Sequence, residues 1–198
     1  MSASPESSFD TANRIAAGDD GTTYDQVSIW LHWATAALVI ANFALGETWD
    51  WFPKPAKELM EDTHMSFGVL LTAIIVARIA WRLMPGHEVA AITSGFVRLA
   101  SKSVHYVLYV LLVAEALLGF SFRWGAGRPM EFFGLAIPPL IGEMARPDRH
   151  LLRDIHEWNG RAIIIIATLH ALGALYHHYA VKDRVLVRML PRATPKRR

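Results

Sequence analysis

Nine histidines and no cysteine stand in this 198-residue chain. Seven of the histidines, His32, His64, His105, His156, His170, His177 and His178, fall within or at the ends of long apolar runs, where polar groups are expensive and tend to be functional. The missing cysteine excludes a disulfide framework, a CxxC redox pair, a thiolate-held iron–sulfur cluster and a thioether-attached haem. Metal chemistry must then use imidazole, carboxylate or the thioethers of seven methionines. His156 and His170 are 14 residues apart. At ~100° and ~1.5 Å per residue, both rings project from one helix face about 21 Å apart. Two stacked cofactors need that geometry, and a single metal ion cannot use both rings.

The elements that must position these rings are membrane spans. Hydrophobic residues make up 53% of the chain and mean hydropathy is +0.23, which puts a membrane protein first among the classes to test. Crossing ~30 Å of hydrocarbon takes about 20 apolar residues, and the runs at 27–46, 64–83, 104–122 and 155–181 qualify. A soluble bundle would carry charges at every third or fourth position, yet the first run has none. The reading is an all-α, integral-membrane four-helix bundle over residues 24–191. A polar tail at 1–23, expected to be disordered, precedes it, and a basic tail at 192–198 follows. No secretory signal is expected ahead of the first span.

The net charge of +2 conceals an asymmetry. Residues 1–26 hold one Arg against five carboxylates, 47–63 hold two Lys against five, and 181–198 hold seven basic residues against Asp183. The positive-inside rule therefore puts both termini in the cytoplasm, although Arg128, Arg146, Arg149 and Arg153 sit in the expected outer loop at 124–154. That loop carries turn residues and a short apolar stretch that could cover the bundle. Nothing reads as a nucleotide loop, an HExxH metal motif, a GxSxG elbow or a nucleic-acid signature, so nucleic acid is not an expected partner.

Alternating span direction selects which rings meet. His32 and His170 lie toward the cytoplasm, while His64 and His156 lie toward the outside. Two bis-imidazole sites at opposite depths are what two b-type haems require. Gly68, Gly160 and Gly173 share helix faces with His64, His156 and His170, which would leave space for flat porphyrins. His105 could replace His32 or His170 as a ligand, or else contact a propionate or a quinone. Arg78, Arg82 and His177 are further candidate contacts of that kind at the cytoplasmic rim, and Arg123, Arg149 and Arg153 are candidates for propionates outside. Glu115 is expected about mid-span as a protonated packing residue or part of a proton path, with no carboxylate near either pair. His87 and His150 read as loop residues.

The segments SIWLHW, DTHMSFGVL, SVHYVLY and IHEWNG…TLHALGALYHHY, with FFG in the outer loop and RVLVRMLP near the end, resemble the bacterial cytochrome b561 family over roughly residues 24–191. The resemblance implies a di-haem b cytochrome of the bacterial inner membrane with His32, His64, His156 and His170 as axial ligands. It also implies electron exchange with ubiquinone or another quinone, and a periplasmic electron donor or acceptor such as superoxide or a redox protein. On that basis an oxidoreductase, as a homodimer or a subunit of a redox complex in lipid, is expected. Two alternatives stand beside it: a haem-bearing anchor of a periplasmic dehydrogenase or hydrogenase, and a proton-coupled or metal-ion transporter.

Overall fold

Runs of membrane length become four long helices: α1 (Gln26–Thr48), α2 (Lys54–Leu83), α3 (Gly95–Gly125) and α4 (Arg146–Tyr176). A π-helical turn, His177–Val181, continues α4. All four are long and apolar enough to cross a membrane, so the all-α membrane bundle expected from hydropathy is the architecture found. The computed structural model describes residues 24–84 and 95–190. The two expected tails, 1–23 and 192–198, and His87 lie outside the described residues.

Helices outrun the apolar segments at their ends. Residues 54–63, expected as loop, form the first turns of α2, because Pro53 and Pro55 set the entry and two i,i+4 pairs, Lys54–Glu58 and Lys57–Glu61, support the charged stretch. Residues 146–154, also expected as loop, open α4 with Pro147 and Asp148 in the first turn. His150 is therefore helical. At ~1.5 Å per residue, the 30 residues of α2 reach about 45 Å, well beyond the hydrocarbon.

Side-chain contacts set the packing. Asp25 meets Trp81, His32 meets Arg78 and Asn42 meets His64, so α1 and α2 run antiparallel. His105 with His170 and Glu115 with His156 give the same relation for α3 and α4. Residues that begin α1 and end α4 share one end, here called inner: Trp33 Nε1 donates to the Met189 carbonyl at 2.7 Å and Arg188 lies over the Tyr24 ring. At that end the Asp25 carboxylate caps α1 by accepting from the Ser28 N–H at 2.8 Å.

Midway, Leu71, Ile75, Leu112 and Ile163 form the buried core, with Leu38, Val39 and Leu111 around it. Ile40, Val76, Val110, Leu117, Ile165 and Leu169 stay exposed along the helices. Hydrocarbon tails solvate such a face as well as leucine does, so it needs no protein cover.

The outer α3–α4 connection contains a hairpin that the sequence reading leaves as loop. Strand β1 (Met130–Phe132) pairs antiparallel with β2 (Leu135–Ile137) through a two-residue turn in which Phe133 and Gly134 have φ of 48° and 87°. Positive φ at both positions matches the strand twist but strains a bulky phenylalanine. Ser66 of α2 holds it. The Phe133 N–H donates to Ser66 Oγ at 2.9 Å, and the hydroxyl donates to the Asp62 carbonyl at 2.8 Å. β1 thereby packs on α2 and α3 and covers the outer end. Ser66→Ala removes the acceptor of this part-buried amide, at a cost of about 1 kcal/mol. Chymotrypsin should then cut at Phe132 and Phe133 faster than in wild-type protein in detergent; equal rates would show that the hairpin does not depend on Ser66.

Candidate functional site

The outer end brings together His64 of α2 and His156 of α4, with ring centroids 6.3 Å apart and planes crossed at 79°. Each ring is held in the same way by the helix beside it. His64 Nδ1 lies 3.0 Å from the carbonyl of Asn42 on α1, and His156 Nδ1 lies 3.2 Å from the carbonyl of Glu115 on α3. A carbonyl can only accept, so Nδ1 carries the proton in both rings and Nε2 keeps a free lone pair. One turn further, Gly46 and Gly119 present bare backbone to the same rings: a Cβ there would meet Cε1 of His64 at 3.6 Å and of His156 at 3.4 Å. The pattern is thus a polar residue and a glycine four positions on, once in α1 and once in α3. Buried Asn42 also brackets α2 with its amide, which in the matching orientation donates to the His64 carbonyl and accepts from the Gly68 N–H at 3.2 Å each. Trp49 and Phe122 pack edge-on against His64 and His156.

Three glycines were expected to open space for a porphyrin. Gly173 does face open space, but Gly68 faces Asn42 and Gly160 faces Glu115 Oε1, only 3.0 Å from where a Cβ would stand. Glu115, expected about mid-span, has one of the ring pairs as its neighbour. It lies beside the outer pair, its Oε1 3.4 Å from His156 Nδ1 and its Oε2 accepting from Asn159 Nδ2 at 2.7 Å. A carboxyl therefore does stand next to one pair, against expectation, because the α3–α4 register sets Glu115 opposite His156.

The inner end brings together His32 of α1 and His170 of α4 at 6.4 Å and 74°. His105 of α3 joins them, 4.9 Å from His170. Arg78 Nη2 stands 3.4 Å from His32 Nδ1, and its guanidinium lies over the Tyr109 ring. Arg78 and Arg82 line a small cavity of about 40 Å³ with Trp81 and Tyr109. His177 does not reach it, since its Nδ1 pairs with Asp183 beyond the π-helical turn. Partial desolvation opposes the charge on Asp183, yet the Val185 N–H and the His177 ring outweigh it and hold this carboxyl below the usual carboxylate range.

Magnitude separates the candidate pairs. With about 2.0–2.1 Å per metal–imidazole bond and about 1.2 Å from nitrogen to ring centre, two rings facing one metal have centroids about 6.4 Å apart. His64/His156 and His32/His170 match that spacing, and His105/His170 falls well short. The buried Leu71–Ile75–Leu112–Ile163 cluster lies between the two pairs. Among the described residues no group of three or more His, Asp or Glu is placed to hold a metal ion on its own.

At the outer end, behind the Phe122 ring that packs on His156, opens a cavity of about 440 Å³ lined by Arg123, Arg128, Arg146, Arg149, His150 and Arg153. Arg123, Arg149 and Arg153, the outer candidates of the sequence, meet here, and Arg128, Arg146 and His150 join them because α3 and α4 contribute from opposite sides of the hairpin. Arg123 and Arg153 have partners in the Pro129 carbonyl and Glu157. The buried Nε of Arg149 has no hydrogen-bond partner among the described residues, nor does Trp124 Nε1. The orphaned Arg149 donor in an arginine-lined cavity suits carboxylates or another small anion.

Comparison with known proteins accords with this geometry. The family described as Prokaryotic cytochrome b561 matches residues 23–192. Cytochrome b561 homolog 2 of Escherichia coli is 31% identical over 180 residues, covering 86% of this chain and 93% of that protein. Cytochrome b561 homolog 1 of the same organism is 30% identical, covering 85% and 97%. The probable superoxide oxidase CybB of Yersinia pestis is 29% identical, covering 85% and 96%.

The close approach of Gly119 yields a graded test. Gly119→Ala places a methyl in ordinary contact with His156, whereas Gly119→Leu must displace the ring. Haem content per chain should be near wild-type for alanine and clearly lower for leucine; equal content in both would show that His156 is not held by this contact.

Proposed function

Because the chain belongs to the prokaryotic cytochrome b561 family, whose members are membrane electron-transfer proteins with b-type haem, we propose that it moves electrons across the membrane through two haems. His64 and His156 would hold one and His32 and His170 the other. The observation that carries this reading is the pair of imidazole pairs, each at the spacing one iron requires and about 21 Å apart along α4. Each bound haem would supply a one-electron iron couple, its potential tuned by axial imidazole, hydrogen bonding and burial.

The chain's own residues do the rest. The Asn42 and Glu115 carbonyls fix the outer rings with Nε2 toward the gap between them. The apolar cluster keeps water and ions from passing between the sites, which separates an electron path from an ion path. His105, closer to His170 than two imidazoles sharing one metal would stand, packs edge-on against it and would be available to a propionate or a quinone.

On this reading the outer end faces the periplasm and the inner end the cytoplasm. The arginine cavity at the outer end favours an anionic electron donor or the haem carboxylates. A relative named as a probable superoxide oxidase makes superoxide the donor of choice. Each superoxide would give up one electron and leave as dioxygen, so two are consumed per quinone reduced to quinol with two protons. Quinone would be met at the inner end, where Arg78 and Arg82 flank a cavity that must widen to admit its ring.

The test is a reduced-minus-oxidised spectrum with haem quantified per chain. Wild-type protein should carry two haems. His64→Ala and His156→Ala should each lose the same one, and His32→Ala and His170→Ala the other. Any other grouping, or a single haem in wild-type protein, overturns the two-site reading. Superoxide-driven quinone reduction should fall steeply in Arg149→Gln and lose much of its salt dependence; activity and salt response equal to wild type would remove superoxide as the donor.

A further inference from the structure

Glu115 is a carboxyl at membrane depth, a position that is costly unless the group is paired. Its surroundings are built around it. Asn159 on α4 donates to Oε2 at 2.7 Å and to the Leu111 carbonyl at 3.0 Å, which fixes the side chain against α3. Oε1 points to His156 Nδ1 at 3.4 Å. The absent side chain of Gly160 leaves the volume Oε1 occupies, since a Cβ there would come within 3.0 Å of it. Oε2 thus accepts an N–H from Asn159, and Oε1 is left facing the imidazole of His156.

His156 Nδ1 thus meets one residue twice: it is hydrogen-bonded to the Glu115 carbonyl at 3.2 Å, and the side-chain Oε1 of the same residue stands 3.4 Å away. No other candidate ligand is arranged this way. His64 has a carbonyl alone, and His32 faces the Arg78 guanidinium. A carboxylate behind an imidazole makes the ring a stronger electron donor, favouring the oxidised state of a metal it ligates. A cation near the other site acts in the opposite sense.

We propose that Glu115 is a positioning residue that orients His156 and lowers the reduction potential of the outer site relative to the inner one, so that electrons run downhill from the outer end to the inner. This rests on the reading of His156 as a haem ligand. Asn159 and Gly160 serve it, one by holding the carboxylate and the other by making room for it.

The experiment is a spectroelectrochemical titration of the purified holoprotein at fixed pH. The outer component is identified as the one missing in His64→Ala. Glu115→Gln keeps the shape and removes the charge. It should raise the outer midpoint by about 59 mV, equivalent to a tenfold change in the one-electron equilibrium, and leave the inner midpoint unmoved. Gly160→Ala retains the carboxylate but pushes it from the ring, and should shift the same component the same way by less; it carries the test if Glu115→Gln does not assemble. An outer midpoint unchanged in Gly160→Ala and in any Glu115→Gln that assembles overturns the proposal, as does an equal shift of both components. If wild-type protein lacks two components, or His64→Ala removes none, the ligand reading itself has failed, which the titration distinguishes from failure at Glu115.

Discussion

The structure depends on how four imidazoles are kept in place at membrane depth. A neutral imidazole has one nitrogen to give and one to keep, and hydrocarbon provides no water to satisfy either. At the outer pair the solution is a main-chain carbonyl aimed at Nδ1 from the neighbouring helix, with a glycine one turn on so that the helix can approach. That arrangement dictates the close contacts of α1 with α2 and α3 with α4, and hence the register of the bundle. It also leaves Nε2 of each ring directed away from the supporting helix, which is what a haem iron needs.

The two ends then diverge electrostatically. Glu115 stands behind one outer ring, while Arg78 stands beside one inner ring. The outer mouth gathers arginines into one cavity. Between the ends, a small cluster of branched aliphatic side chains provides insulation, and the remaining apolar surface belongs to lipid.

Much of this was legible in the sequence because it rests on periodicity. Hydropathy delimits four spans, and the 14-residue separation of His156 and His170, with alternating span direction, predicts both ring pairs that the structure assembles. Other parts rest on signals that a linear reading underweights. Charged turns 54–63 and 146–154 are helical because of proline placement and i,i+4 pairs, which hydropathy does not register. A turn at Phe133–Gly134 is hard to anticipate when a phenylalanine takes positive φ. Main-chain carbonyls have no residue signature, so Asn42 escaped notice, although a polar residue four positions before a glycine within a span was visible at both Asn42–Gly46 and Glu115–Gly119. Spacing placed Gly160 on the right face and could not say that a carboxylate fills the gap.

The central claim, two separate bis-imidazole haem sites in one chain, is tested most directly by electron paramagnetic resonance of the fully oxidised holoprotein. Ring planes crossed at 74° and 79° predict two low-spin ferric components in equal amounts, both of the strongly anisotropic kind that crossed imidazole planes produce. A single component, or a substantial high-spin fraction showing an iron with only one imidazole, would contradict the account.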